Sequence, residues 1–361
     1  MKIEQSELKD LKAVVKLTIE PADYQEEVAK QLKQVRQKAQ MPGFRPGMVP
    51  AGLVKKMYGK GILADVLNKL VGEHLNKHIE DNKLQILGEP LPNDAETKNI
   101  DLDHEDTFTF AFDIAVAPEF DAKLTAKNKL PEYTIEATDE MINKQIEAYT
   151  NRFGEYIPED KEKGTKAEVK PCKVDAELFA KVYGPDAPKD EKAFRARVKE
   201  DIVRSLGEES KYRFGIDAKA AVLKKMEKVE FPEDFLKRWV LATNEKMTQE
   251  ELDKDFPKMI EELKWHLAKD QLMKEYNINV EKDEVEAFAK RIAKMQFMQY
   301  GLMNIEEEHL TNYAQEMLKQ ENQLRSIVER VVEDKIFEAM KGVAKIEPKT
   351  VSQEDFDKLF K

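Results

Sequence analysis

The chain has 361 residues, of which 36% are charged and 41% are hydrophobic, and its formal net charge is -11. A single hydrophobic core rarely organises so long a chain, so more than one domain is expected. The sequence holds no run of about 18 apolar residues that would cross a membrane, and its one cysteine, Cys172, excludes an internal disulfide and a multi-cysteine zinc site. We therefore expect a cytoplasmic protein with long solvated helices, no membrane association and no DNA partner.

The first 117 residues predict a small α+β domain. Apolar residues occupy every odd position over 11–19, the period of a half-buried strand, and the same alternation returns over 108–116. Apolar residues at three- and four-residue spacing predict one helix from residue 24 that stops before Pro42 and a second over about 62–79. A shorter strand is predicted over 84–87.

Between the two predicted helices lies a loop that reads MPGFRPGMVP, with Phe44 and Arg45 at its centre. Its three prolines restrict the backbone and lower the entropy lost on docking. Arg45 offers a planar donor fork to a carboxylate or phosphate, and Phe44 offers apolar area. We expect these two residues to be the main contacts of a rigid binding loop.

Residues 28–64 surround this loop and contain no acidic residue. We call them the basic segment. Its cations are Lys30, Lys33, Arg36, Lys38, Arg45, Lys55, Lys56 and Lys60. Two interpretations are open: a site for an anionic partner, or a solvated helix surface that happens to be basic.

The rest of the chain is predicted to be mainly helical. Residues 118–150 indicate a connecting segment with a short helix near 141–149, and residues 151–174 are a polar stretch with glycine and proline breakers, typical of a linker. From residue 175 to 361 helical periodicity dominates, and the narrow apolar stripes predict an extended all-α domain with helical arms.

Methionine is concentrated in the second half of the chain, above all in AKMQFMQYGLMN. Flexible, polarisable side chains of this kind are used on surfaces that fit many partners. The competing interpretation is an ordinary helical core in which methionine fills gaps. The candidate partner contacts are Met295, Phe297, Met298, Tyr300 and Met303.

The sequence indicates no catalytic residues. His74 and His78 stand four apart on a predicted helix, but the HLNKH stretch lacks the internal glutamate of a zinc protease motif. The sequence has no glycine-rich phosphate loop of dinucleotide or Walker type. We expect no catalytic residue, no metal and no cofactor.

The loop sequence GFRPGMVP resembles the ribosome-binding loop of the trigger factor family of bacterial chaperones. The family pattern is matched at Gly43, Phe44, Arg45, Gly47 and Pro50. The segments DAELFAKVYG, FPEDFLKRWV and VERVVEDKIFEAMKG resemble the family's helical substrate-binding module in order and character. One departure is that the family often carries lysine where this chain has Pro46 and Met48.

The resemblance implies an ATP-independent chaperone of three parts: an N-terminal ribosome-docking domain, a linker and a helical C-terminal domain. The loop residues Gly43, Phe44, Arg45, Pro46 and Gly47 would dock on the large ribosomal subunit beside the exit tunnel, against protein and rRNA. The flanking cations Lys38, Lys55 and Lys56 would support them as a basic patch. The helical domain would hold nascent and unfolded polypeptides, and the protein would form a homodimer off the ribosome.

The resemblance also implies an absent activity and leaves rivals open. The family usually carries a peptidyl-prolyl isomerase domain of the FK506-binding type where this chain has only residues 151–174, so no isomerase activity is expected. One rival is an assembly or structural factor that binds a single dedicated protein partner through its helical body and RNA through its basic loop. A second rival is an isomerase with an unrecognised site.

Overall fold

The structure is a computed structural model, and the packing of its chain divides it into two compact units. Unit 1 comprises Met1–Phe120 with Lys228–Met259, and unit 2 comprises Asp121–Glu227 with Ile260–Lys361. The four-part division expected from the sequence, at 1–117, 118–150, 151–174 and 175–361, stays a prediction. The residues that the structure describes are 1–38, 42, 44–45, 48–97, 101–102, 106–157, 168–300, 302 and 305–360.

The described residues form short strands and mostly long helices. The strands are β1 (Lys2–Gln5), β2 (Lys12–Ile19), β3 (Leu91–Pro92), β4 (Phe108–Ala115), β5 (Lys129–Ile135), β6 (Glu155–Ile157), β7 (Glu168–Lys170) and β8 (Lys345–Val351). The helices are α1 (Pro21–Lys38), α2 (Ala51–Asp81), α3 (Asp139–Arg152), α4 (Ala176–Tyr183), α5 (Glu191–Lys225), α6 (Glu233–Thr243), α7 (Gln249–Glu275), α8 (Lys282–Gln299), α9 (Glu307–Lys319), α10 (Glu321–Val343) and α11 (Gln353–Asp357). The predicted combination of an α+β N-terminal region and a helical C-terminal region is confirmed.

Unit 1 is built on a four-stranded antiparallel sheet in the order β1-β2-β4-β3. Alternate residues of β2 are buried, as its period-2 pattern predicts, and Ile19 pairs with Phe108 of β4. Helices α1 and α2 cover this sheet, and Tyr24 of α1 packs its ring 5.8 Å from that of Phe108. The strands predicted over 11–19 and 108–116 are therefore confirmed.

Two predictions in unit 1 were wrong. Helix α2 begins at Ala51 and not near residue 62, because Pro50 ends the loop and the helix starts directly after it. The glycines Gly52, Gly59 and Gly61 concealed this start, since glycine lowers helix propensity. The segment 84–87 forms a single isolated bridge between Ile86 and Val116 rather than a strand.

Helix α6 belongs to unit 1 although it follows α5 in the chain. Asp234 of α6 pairs with Lys12 of β2 at 2.7 Å, and Arg238 pairs with Asp113 of β4 at 2.7 Å. The Trp239 ring lies against Gly88, which has a φ of +72°. Side-chain contacts with the sheet region thus hold this distant segment in the N-terminal unit.

The regular structure of unit 2 is helical in its described residues, except for two small strand pairs. The parallel pair β5-β8 aligns Leu130 with Ile346 and adds a feature that the sequence did not predict. Each of these strands contains a proline, Pro131 or Pro348, which breaks the local strand pattern. The second pair, β6-β7, is antiparallel and lies in the predicted linker. None of the helices in the described ranges has the length and apolarity that crossing a membrane requires.

Candidate binding surfaces

The loop between α1 and α2 is anchored at its C-terminal stem. Val49 is 0% exposed and packs with Val54 of α2. Arg36 of α1 donates from Nε to the Val49 carbonyl oxygen at 2.8 Å, so one cation of the basic segment has a structural role. The partly buried residues that complete this contact are Leu32, Val35 and Leu53.

The described residues of the outer loop, Phe44, Arg45 and Met48, face solvent. Met48, next to the buried Val49, is 72% exposed, and its backbone N–H donates to the Arg45 carbonyl oxygen at 3.0 Å. Phe44 and Arg45 are both exposed. The main predicted contacts therefore lie on the open side of a loop whose stem is fixed in the core.

The predicted supporting cations flank this loop on both sides. Lys38 is the last residue of α1, Lys55 and Lys56 lie in the second turn of α2, and all three are exposed. The first turn of α2 carries no acidic residue and no side-chain cap, so the positive end of its dipole is not compensated there. The remaining predicted loop residues, Gly43, Pro46 and Gly47, lie outside the described residues.

A second surface lies at the C-terminal end of α8. Met295, Met298 and Tyr300 are exposed, Tyr300 at 84%. Phe297 differs from them, because it is partly buried against the apolar cluster of α8, α9 and α10. The structure therefore brings three of the predicted contacts to the surface and places Phe297 at the edge of a core, while Met303 lies outside the described residues.

Phe297 also lines an open cavity of about 760 Å³ between the end of α8 and α9, which we call the α8–α9 groove. The Tyr313 ring lies 5.0 Å from that of Phe297, and its hydroxyl donates to Gln296 Oε1 at 3.1 Å. Leu302 and Ile305 complete the apolar wall. The polar lining residues are Glu306, His309, Asn312, Gln315 and Glu316.

The α9 side of this groove was not predicted from the sequence. Ile305 and Tyr313 belong to no methionine cluster, and only the packing of α8 against α9 brings Tyr313 to Phe297. A helical spacing signal was present, since Tyr313 follows Leu310 by three residues on α9. The groove offers apolar area and hydrogen-bonding groups, which suits noncovalent binding of an apolar segment.

His78, one of the two histidines that stand four residues apart, contacts polar side chains within the described chain. His78 Nε2 lies 2.8 Å from Gln5 Oε1 of β1, and the Asn82 side chain donates to the His78 carbonyl oxygen at 2.8 Å. Among the residues that the structure describes, no group of three or more His, Cys, Asp or Glu side chains is arranged to hold a metal ion.

Comparison with known proteins points to one family over most of the chain. Residues 1–149 match the model of the bacterial trigger factor protein, and residues 210–360 match the model of the probable trigger factor C-terminal domain. The trigger factor of Francisella tularensis subsp. mediasiatica (strain FSC147) is 24% identical over 335 residues, which cover 91% of this chain and 65% of that protein. The trigger factor of Bordetella avium (strain 197N) is 30% identical over 149 residues, covering 41% of this chain and 33% of that protein.

A solved structure of the trigger factor chaperone, described for promiscuous substrate recognition in folding and assembly activities, aligns with a TM-score of 0.49 at 14% identity. The alignment covers 94% of this chain and 99% of that chain. Against the Francisella relative, the chain spans 65% of the length of the curated protein it matches.

Proposed function

Because the chain belongs to the trigger factor family, we propose that it is a chaperone that docks on the large ribosomal subunit and holds apolar segments of nascent and unfolded polypeptides. The observation that carries the docking proposal is the loop between α1 and α2. Its stem is buried at Val49, and its outer residues Phe44 and Arg45 are exposed. Such a loop contacts a partner while losing little conformational entropy.

Charge supports the proposed docking partner. The chain carries a net charge of -11, yet residues 28–64 hold no acidic side chain. A ribosomal surface offers phosphates and acidic side chains, which attract this segment more than the rest of the molecule. In the proposal, Gly43, Phe44, Arg45, Pro46 and Gly47 form the docking tip. Three supporting cations flank it: Lys38, Lys55 and Lys56.

The α8–α9 surface is the proposed holding site. Met295, Met298 and Tyr300 offer flexible and aromatic apolar area beside the groove at Phe297. Contacts of this kind are weak and non-directional, so many client sequences fit them. Release follows when the client buries its own apolar segment during folding, and the cycle requires no ATP.

We propose that the chain has no peptidyl-prolyl isomerase activity. Between α3 and α4 the described chain contains only the short antiparallel pair β6-β7, in which Tyr156 pairs with Val169. Residues 151–174 are too few to form an independent enzymatic core. We place docking in residues 1–117, a connection in 118–150, a linker in 151–174 and client holding in 175–361.

We further propose that the protein works in the cytoplasm and forms a homodimer when no ribosome is present. Its exposed apolar side chains, such as Tyr300, favour self-association in the absence of a partner. Sedimentation velocity over a concentration series tests the dimer. A sedimentation coefficient that stays at the monomer value up to high protein concentration would contradict it.

Co-sedimentation with empty ribosomes over a salt series tests the docking. The wild-type chain is compared with the variant Phe44→Ala plus Arg45→Ala, and we expect salt-sensitive binding that this variant loses. The matched control is Lys211→Ala plus Tyr212→Ala, which removes one exposed ring and one cation from α5 of unit 2. Undiminished binding of the loop variant, or an equal loss in the control, would contradict the assignment.

A further inference from the structure

Exposed apolar side chains of unit 1 are concentrated in one short segment. In the described part of this unit the exposed large apolar residues are Leu8, Phe44, Met48, Met57 and Tyr58. All but Leu8 fall within residues 44–58. Single exposed apolar residues are ordinary, but a concentration in one segment marks an interaction surface.

The second turn of α2 is the exposed part of the helix that follows the loop stem. Val54 is buried in the loop stem, and the next buried residue of the helix is Ile62. Between them Lys55, Lys56, Met57 and Tyr58 are all exposed. Four successive helical residues point around nearly a full turn, so side chains on every side of this turn reach solvent, with Met57 at 58% and the partly covered Tyr58 at 38%.

The position of this turn connects it to the loop. Met57 lies about 10 Å along the helix axis from Pro50, at a rise of ~1.5 Å per residue. Phe44, Arg45 and Met48 precede Pro50 in the same loop. A partner of ordinary interface size that covers the exposed Met48 therefore extends to Met57 and Tyr58 as well.

The side-chain types favour a protein partner. Phe, Tyr, Met and Arg are the residues enriched in the centres of protein interfaces. A nucleic acid surface uses aromatic rings for base stacking and cations for phosphates, and the exposed thioethers of Met48 and Met57 supply neither. Because residues 28–64 contain no acidic side chain, the complementary surface is acidic around an apolar centre.

We infer that the second turn of α2 is a further docking contact, with Met57 and Tyr58 as apolar anchors and Lys55 and Lys56 at the rim. Its partner is an acidic protein surface of the large ribosomal subunit. The inference rests on the proposed docking function and extends it from the loop to the helix. It also explains the exposed Met48, where the family often has lysine. Apolar contacts with the partner replace part of the electrostatic attraction that a lysine would add to docking.

The test measures the affinity of the chain for purified large ribosomal subunits and for their deproteinised rRNA. The anchor variant is Met57→Gln plus Tyr58→Gln, which keeps the charge and a good helix former at both positions. The control is Leu8→Gln, the same kind of change at the exposed large apolar residue that lies outside the segment in the described part of unit 1. Thermal unfolding of each variant verifies that folding is unchanged.

We expect the anchor variant to bind subunits about tenfold or more weakly, with the salt slope of wild type and with unchanged rRNA affinity. Leu8→Gln is expected to bind like wild type. An anchor variant within about twofold of wild type would overturn the inference, and an equal loss of rRNA affinity would assign the contact to RNA instead. If the Phe44/Arg45 variant loses binding while the anchor variant keeps it, only this inference fails. If wild type does not bind subunits, the proposed docking fails as well.

Discussion

Gly88 is a position where both backbone and space exclude a side chain. Its φ is +72°, and a Cβ added there would lie 2.7 Å from Cδ2 of Trp239. We predict that Gly88→Ala lowers the free energy of unfolding by about 2–3 kcal/mol, from the left-handed strain together with the overlap. Urea denaturation measures this change.

Gly72→Ala is the matched control for that prediction. Gly72 lies inside α2, and an added Cβ would meet nothing within 4 Å. The same substitution there is expected to raise the free energy of unfolding by about 0.5–1 kcal/mol, because alanine is the better helix former. Equal effects at the two positions would show that the Trp239 contact does not limit residue 88.

Tyr183 makes the stability of unit 2 sensitive to alkaline pH. Its hydroxyl donates to Asp201 Oδ2 at 2.7 Å. Burial, together with the neighbouring Asp201, raises the pKa of the Tyr183 phenol. The folded state therefore keeps the phenol protonated where the unfolded chain ionises, near pH ~10. The contribution of the protonated Tyr183 phenol to the free energy of unfolding is complete below this pH and is lost as the pH rises above it.

We predict that Tyr183→Phe lowers the free energy of unfolding by about 1 kcal/mol at pH 7, because the hydrogen bond is lost. The variant should also lose less of this free energy than wild type when the pH rises above ~10. The measurement is urea denaturation at pH 7 and pH 11. Tyr212→Phe, at an exposed tyrosine of α5, serves as the control and should change neither value appreciably. A Tyr183→Phe protein that loses as much stability as wild type between the two pH values would refute the assignment.

At the scale of elements, the loop stem links folding to docking. Val49 is the fully buried residue that fixes the end of the loop between α1 and α2. We predict that Val49→Ala lowers the free energy of unfolding by about 1–2 kcal/mol and weakens ribosome binding, because the cavity loosens the base of the loop. Urea denaturation and co-sedimentation measure the two effects. Val203→Ala, at an exposed valine of α5, should change neither, and unchanged binding by Val49→Ala would show that docking does not need the rigid stem.

Elements with a regular local pattern were predictable from the sequence, and elements defined by distant partners were not. The alternation over 11–19 predicts β2 because each inward side chain enters the sheet core directly. Strand β5 has no such pattern, since Pro131 interrupts it and its partner β8 lies near the other end of the chain. Its pairing depends on tertiary contacts that no short window contains.

The residues of the candidate sites were likewise predictable where local sequence determines their exposure, and not where helix packing determines it. The loop composition correctly placed Phe44 and Arg45 on the surface, because proline and glycine exclude the loop from regular structure. It did not indicate that Val49, in the same loop, is buried, since this depends on how α1 packs on α2. The groove wall at Tyr313 was missed because it forms only where two helices meet.

For the whole molecule, the two proposed surfaces lie in different compact units. Phe44 and Arg45 belong to unit 1, and the α8–α9 surface belongs to unit 2. Their chemistry also differs, since the first combines cations with apolar residues and the second has Glu306 and Glu316 beside its apolar wall. Two functions that use separate cores should be separable by substitution, because substitutions at sites that share no contacts are energetically nearly additive.

We therefore predict a reciprocal pattern in two assays, suppression of aggregation of a denatured client protein and ribosome co-sedimentation. The client variant is Met295→Gln, Met298→Gln and Tyr300→Gln. It should lose most of the suppression and keep ribosome binding, since it removes exposed apolar area without altering unit 1. The variant Phe44→Ala plus Arg45→Ala should show the opposite, and ATP should change neither result.

Val203→Gln plus Leu324→Gln removes exposed apolar area elsewhere in unit 2 and should retain both activities. If this control loses as much suppression as the client variant, holding is a property of general surface apolarity and not of the α8–α9 surface.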